Sequence, residues 1–314
     1  MREAQRISFD EEAVHQSIDI LSSELLQHFY GEKATNNRLL ADKILVHQAA
    51  NKEFLAPTVA GILMFTEEPD LYLPEALIRC TRFRGLEGRD IIRTEEITGP
   101  INQQAVTALK VLESWLAMDY PLQGAQLKGR LPVPAEALRE AILNALLHRK
   151  YTIVGAVKIA VYDDRVEIFS PGCFPVVVDR NHLGDGTRVL RNPVLVKLAR
   201  HMKLIETLGT GIRLIFDSCH KAGIVPPVYH DEGDFVKVIF YFRPNLEQKS
   251  ETEALLALMQ SVPQITAGKV AAYLGVSRNT AIRKLNALVQ SEQIIKVGRG
   301  AEVVYKYILQ RSKK

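Results

Sequence analysis

Long apolar runs are missing from this chain. None approaches the roughly 18 residues a membrane-spanning helix needs, and the opening Met1-Arg-Glu-Ala-Gln-Arg6 leads into no apolar signal segment. No membrane partner is expected. Cysteine is scarce as well: Cys80, Cys173 and Cys219 are far apart and odd in number. That spacing argues against a disulfide framework or a cysteine-rich zinc site and fits a reducing cytoplasm. The phosphate-loop pattern Gly-x-x-x-x-Gly-Lys-Ser/Thr is absent, so a P-loop motor is excluded.

What is present is ordinary globular material, 47% hydrophobic and 24% charged over 314 residues, with room for two or three domains. The net charge of +4 is unevenly spread. From Glu251 onward ten Lys/Arg face four acids, whereas residues 1–250 carry a slight acidic excess. Any polyanion binding is therefore expected in the last 64 residues.

Periodicity predicts an amphipathic helix over residues 9–30, with Val14, Ile18, Leu21 and Leu25 near helical spacing, and a second helix over 36–50. Ala76–Arg84 alternates like a strand, and Ile101–Met118 has a helical pattern. Strands at Ala156–Tyr162 and Arg165–Phe169 flank the turn-prone pair Asp163-Asp164, which predicts a hairpin. A long loop to Arg191 follows. Asn192-Pro193 reads as an N-cap and first turn of a helix, and a further helix follows Gly209 and Gly211. Phe235–Phe242 alternates as a strand, and Arg243–Ser250 is a polar linker. The expected division is an N-terminal α/β region at 1–128, a second α/β domain at 129–245 and a C-terminal module at 251–314.

Two sets of residues carry chemistry. In Glu140-Ala-Ile-Leu-Asn144-Ala-Leu-Leu-His148-Arg149 the spacing of four places Glu140, Asn144 and His148 on one helix face. Burying such a polar stripe is costly unless its groups are satisfied. A structural network joining the helix to the long loop would satisfy them, and so would a ligand. Leu208-Gly209-Thr210-Gly211-Ile212 places glycines where a loop becomes a helix, a geometry suited to phosphate.

With Val166-Glu-Ile-Phe-Ser170-Pro-Gly172, these segments resemble the ATP-binding domain of the GHKL superfamily, which adopts the Bergerat-type α/β sandwich. The divergent form in bacterial RecG-like or Schlafen AlbA-type transcriptional regulators is the nearer likeness. The resemblance implies ATP with Mg²⁺ as cofactor. Asn144 would hold Mg²⁺ against the phosphates, and Glu140 would activate water where hydrolysis occurs. His148, Ser170, Gly172, Gly209, Thr210 and Gly211 would line the nucleotide site. One departure stands out: Ser170 occupies the place of the superfamily's adenine-binding Asp, and a hydroxyl is a weaker, uncharged acceptor. Enzymatic activity is left open for that reason. Arg188 and Arg191 lie in the loop, either reaching phosphates or solvated. Relatives also usually carry an AlbA-type domain ahead of the Phe9 region, for which this chain has no room.

The second set lies at the C-terminus. A helix at Glu251–Gln260, another at Ala267–Leu274 begun at Thr266, a tight turn Gly275-Val-Ser277 and a third helix form a helix-turn-helix pattern. The third helix turns Ile282, Leu285 and Leu288 inward. Ser277, Arg278, Asn279, Thr280, Arg283 and Lys284 stand near its start, where a recognition helix meets base edges. Ile294–Val297 and Val303–Ile308 then form a wing bearing Lys296 and Arg299. Arg and Asn pair with guanine and adenine edges, and Lys284, Lys296 and Arg299 suit phosphates.

The module resembles bacterial winged-helix domains, which usually dimerise on double-stranded DNA; a winged helix that binds protein is the alternative. The whole reads as a cytoplasmic, homodimeric, DNA-binding transcriptional regulator with a sensor or assembly domain. An ATPase acting in DNA transactions is the rival.

Overall fold

The computed structural model describes residues 7–49, 51–118, 131–173, 190–205, 211–231, 233–241, 255–256, 259, 264–274, 276–291, 293–298 and 303–307. The chain divides into two compact units, Met1–Arg243 and Pro244–Lys314.

The first unit begins with one-turn 3-10 helices at Phe9–Glu11 and Ile18–Ile20, followed by α1 (Ser23–Tyr30). The continuous helix expected over 9–30 does not form. Ser17 and Ser22 hold extended backbone, and each accepts a backbone N–H from the turn that follows, so the chain restarts twice. The helix expected over 36–50 is likewise shorter. α2 (Asn36–Ala41) is capped by Thr35 and ends where Asp42 turns inward to accept from Tyr30, Arg38 and Lys197. Lys43 then takes a left-handed φ of 62°, and the chain enters β1 (Leu45–His47), which pairs with β2 (Leu55–Pro57). Every residue of α3 (Val59–Phe65) is buried.

A six-stranded sheet forms the frame. Its strands are β3 (Ile78–Arg84), β4 (Asp90–Ile97), β5 (Val157–Val161), β6 (Arg165–Pro171), β7 (Val228–Asp231) and β8 (Phe235–Tyr241), in the order β4-β3-β5-β6-β8-β7. Only the β3–β5 pair is parallel. The expected hairpin is β5–β6, closed where Tyr162 N–H donates to the Arg165 carbonyl at 2.9 Å. The sheet joins strands on both sides of position 128.

Strand alternation sorts the two faces. Ile78, Cys80, Ile159, Val161, Val166, Ile168, Val238 and Phe240 are all buried on one face. Against it pack α4 (Ile101–Met118) and α5 (Ala135–Leu147), whose Leu112, Trp115, Leu138, Ile142 and Leu143 complete the core. α6 (Pro193–His201) and α7 (Gly211–Ala222) follow, and α7 packs on α5.

Asn192 does precede Pro193 as expected, yet its side chain makes no cap. It donates instead to the Leu147 and Arg149 carbonyls at 2.9 and 2.8 Å. The start of α6 is capped from far away: Asp10, fully buried, accepts from the backbone N–H of Val194 and Leu195 at 2.8 and 3.0 Å. Asp10→Ala would strand two buried donors, and a loss of about 2–4 kcal/mol is expected in urea unfolding. Burial raises the Asp10 carboxyl above 3.8, more than Ser8 and the two amides lower it. Its contribution to stability is therefore fullest below pH 3.8 and declines as pH rises through the raised value. Asp10→Asn should keep an acceptor and lose that pH dependence, which stability measured across pH 3–7 would show.

The second unit contains α8 (Ala267–Leu274), α9 (Arg278–Gln290) and the antiparallel hairpin β9 (Ile294–Val297) with β10 (Val304–Tyr307). Ile265 exchanges backbone hydrogen bonds with Tyr305 at 2.9 and 2.8 Å, tying the segment before α8 to the hairpin. Leu255, Met259, Ile265, Val270, Ala281, Leu285, Leu288, Ile294 and Tyr305 make a core of their own. Most of the helix expected at Glu251–Gln260 lies outside the described residues.

Candidate functional site

Glu140 and Asn144 lie one turn apart on α5, and His148 stands at its C-terminal end. Glu140 is buried, with its carboxylate lying against Gly211, the first residue of α7. A side chain at position 211 would collide with Glu140 Oε1, so the carboxylate would have to shift to admit one. A carboxylate at a helix N-terminus meets unpaired amides and the positive end of the helix dipole. On its other side stands Tyr229 of β7, whose phenol is pushed up by burial and then by the Glu140 charge.

One turn further on, Asn144 Nδ2 is shut off from solvent and has no hydrogen-bond partner among the described residues. An unused buried donor one turn along α5 from Glu140 is a fitting place for a ligand oxygen. Among the described residues no cluster of three His, Cys, Asp or Glu side chains could hold a metal. A cation at this place would need oxygens from the ligand itself.

α5 ends at Leu147, so His148 is its C-cap and not a member of the helix. Its imidazole is held down to about 4 by burial and by the adjacent Arg191 charge, and is neutral at physiological pH. Arg191 links three elements. It donates to the His148 carbonyl at 2.9 Å and the Cys173 carbonyl at 2.6 Å, and its guanidinium covers Gly172, where φ is 114°. Any side chain at Gly172 would strike that guanidinium.

Ser170 lies on β6 and donates its hydroxyl to the Ala145 carbonyl at 2.7 Å, fastening strand to helix. Glu140, Asn144, Gly211, His148, Ser170 and Gly172 are thus arranged around α5. Gly209, Thr210 and Arg188 lie outside the described residues.

Arg191 and Asn192 were legible only as loop cation and helix cap; their grip on the end of α5 was not. The signal was their position just before the helix pattern that begins at Pro193. Arg149, next to His148, is almost fully buried. It donates to the Ile153 and Gly155 carbonyls and lies over the Tyr151 ring, 4.8 Å from its centre.

In the second unit, the third helix begins with a working cap. Ser277 accepts from the Thr280 N–H at 3.2 Å, and the two hydroxyls lie 2.9 Å apart. Ser277 and Thr280 are committed to each other. Arg278, Asn279 and Arg283 are exposed, Lys284 is half-buried, and Ala281, Leu285 and Leu288 face the core. Lys296 is exposed on β9; Arg299 lies outside the described residues.

Residues 155–240, spanning β5 to β8, match the family model described as "Putative ATP-dependent DNA helicase recG C-terminal". They form a RecG-like, ATPase-type domain. Among solved structures, the DIP2311 protein from Corynebacterium diphtheriae is similar over 96% of this chain and 70% of its own, at 18% identity and a TM-score of 0.57. That likeness supports the mixed α/β fold. No curated protein matches. No helix among the described residues is long and apolar enough to cross a membrane.

Proposed function

We propose that the chain is a DNA-binding transcriptional regulator whose ATPase-type domain senses a nucleotide or serves as an assembly module. The observation that carries the DNA half is the capped start of α9. Arg278, Asn279 and Arg283 project outward there, while Ala281, Leu285 and Leu288 seat the helix from behind. The β9–β10 hairpin that follows and the basic excess of the sequence in the same 64 residues support the reading of a winged helix. A single small module makes few phosphate contacts, so a homodimer on two half-sites is the working form.

The sensing half rests on Asn144 and Gly211. The unpartnered amide and the side-chain-free helix start fit the phosphates of a Mg-nucleotide, with Glu140 beside them. Such a ligand would bring a compact polyanion and its cation to a site that holds one carboxylate already. Ser170 is tied to the Ala145 carbonyl, which leaves its lone pairs for an uncharged contact with a base.

Fluorescence anisotropy with labelled duplex DNA tests the DNA half. The logarithm of affinity should fall with the logarithm of salt by roughly 0.9 for each phosphate neutralised. Affinity independent of salt would sink the reading in favour of a protein-binding module. The family match favours a second reading, an ATPase acting in DNA transactions. In that case Glu140→Ala would abolish turnover, whereas a regulator would keep its duplex affinity.

A further inference from the structure

The six-stranded sheet ends on one side at β4, and nothing in the proposed function uses that edge. β4 is eight residues long, Asp90-Ile-Ile-Arg-Thr-Glu-Glu-Ile97, against four in β7 at the opposite edge. Among the described residues its hydrogen bonds and ion pairs all go inward to β3, with Asp90 on Arg84, Thr94 on Thr81 and Glu96 on Arg79. Ile91 and Ile92 are 58% and 46% exposed. Edge strands are often blunted by lysine or proline, and β4 contains neither. Its bulge falls at Ile92 and leaves 93–97 in regular register.

One polar group is left incomplete at this edge. Arg93 stands opposite Arg82, so its neighbour on β3 is a like charge. Arg82 is buried and tied to Asp163 at 2.7 Å. The Arg93 guanidinium lies 5.0 Å from the centre of the Trp115 ring. Its Nε is shut off from solvent and has no hydrogen-bond partner among the described residues. Two positions on, Glu95 lies on the same face of the sheet, is exposed, and has no ion-pair partner among the described residues. A cation short of an acceptor and an unpaired anion therefore sit two residues apart on the open side of one strand.

We propose that β4 pairs antiparallel with β4 of a second copy, about a twofold axis at Thr94. In that register Arg93 of each copy stands opposite the partner's Glu95, Ile91 stands opposite the partner's Ile97, and the two Thr94 residues face each other. Residues directly opposite on antiparallel strands point to the same side and interact. The partner's carboxylate thus comes to the Arg93 guanidinium, and symmetry makes the contact twice. A twofold axis at Arg93 or at Glu95 would instead set like charges against each other, so the charge pattern selects Thr94. A foreign strand would have to match this alternation, whereas β4 carries its own complement. This interface rests on the homodimer reading above, for which it supplies the surface, and lies wholly in the first unit.

Light scattering on the full chain, eluted from a sizing column over a range of concentrations, tests the pairing. The wild type should give twice the 35.2 kDa chain mass. Arg93→Glu and Glu95→Arg each place like charges opposite one another at both contacts. Each should raise the dimer dissociation constant on the order of a hundredfold. Mixed one to one, the two single variants should restore the dimer, because every contact between them joins opposite charges. The double variant Arg93→Glu, Glu95→Arg should dimerise alone for the same reason. A folding defect predicts neither rescue.

Three results would overturn the pairing. A dimer that both single variants leave intact would keep the homodimer and remove β4 from its interface. A dimer lost in the single variants and recovered in neither the mixture nor the double variant would remove the Arg93–Glu95 contact. A wild type of 35.2 kDa at every concentration would remove the pairing and the homodimer together, with duplex binding judged separately by the anisotropy titration.

Discussion

Arg278→Ala combined with Arg283→Ala is expected to weaken duplex binding by on the order of a hundredfold, with no change in the unfolding midpoint. Both side chains are exposed, one before and one after Ala281, whose burial orients the helix. Neither has an ion-pair partner among the described residues, so removing them should cost the fold little. Each arginine that pairs with a guanine edge contributes about 1–3 kcal/mol of discrimination, and the pair together accounts for the hundredfold. Lys296→Ala should behave differently. A phosphate contact weakens all duplexes alike and lowers the salt slope by about 0.9, while sequence preference stays. Anisotropy titrations with two unrelated duplexes at several salt concentrations separate these outcomes. Wild-type affinity in the double arginine variant would remove α9 from the DNA interface.

Gly211→Ala is expected to have the second large effect, here on stability. The added methyl group would enter the space of the Glu140 carboxylate, which is buried and would have to shift to admit it. Forcing a group into such packing costs about 1–3 kcal/mol, to which the displacement of a buried charge adds. For a unit of this size that is a fall of roughly 2–12 °C in the unfolding midpoint. Glu140→Ala removes the obstacle, so the double variant Glu140→Ala, Gly211→Ala should recover most of the loss. A double-mutant cycle reads the coupling directly. Additive effects would mean that the carboxylate and the start of α7 are not packed together.

Local patterns were legible where neighbours in sequence decide the outcome. The β5–β6 hairpin followed from Asp163-Asp164 between alternating strands, and the α9 cap followed from Ser277 ahead of a helical pattern. The N-terminal helices misled because periodicity was read through internal breaks. Ser17, Ser22 and Asp42 each prefer a side-chain–backbone or side-chain–side-chain partner to another turn of helix.

Long-range partners left no trace at all. Nothing around Asp10 announces that it caps a helix 184 positions away, and nothing around Asn192 announces that its amide holds the end of α5 in place of capping α6. The candidate site was legible as a list of residues, because the spacing of Glu140 and Asn144 fixes a shared helix face. Its geometry was not, because Arg191 and Gly211 come to it from distant positions in the sequence.

The most direct measurement is the duplex affinity of one protein preparation with and without saturating Mg-ATP, Mg-ADP and Mg-GTP, repeated for Asn144→Ala. A ligand that favours the DNA-competent state can shift affinity only by its own differential binding to the two states. The expected result is a salt-dependent affinity that at least one nucleotide changes severalfold in the wild type and leaves unchanged in Asn144→Ala. Equal affinity under every nucleotide condition would contradict the sensing role of the Asn144–Gly211 site, and the absence of duplex binding would contradict the regulator altogether.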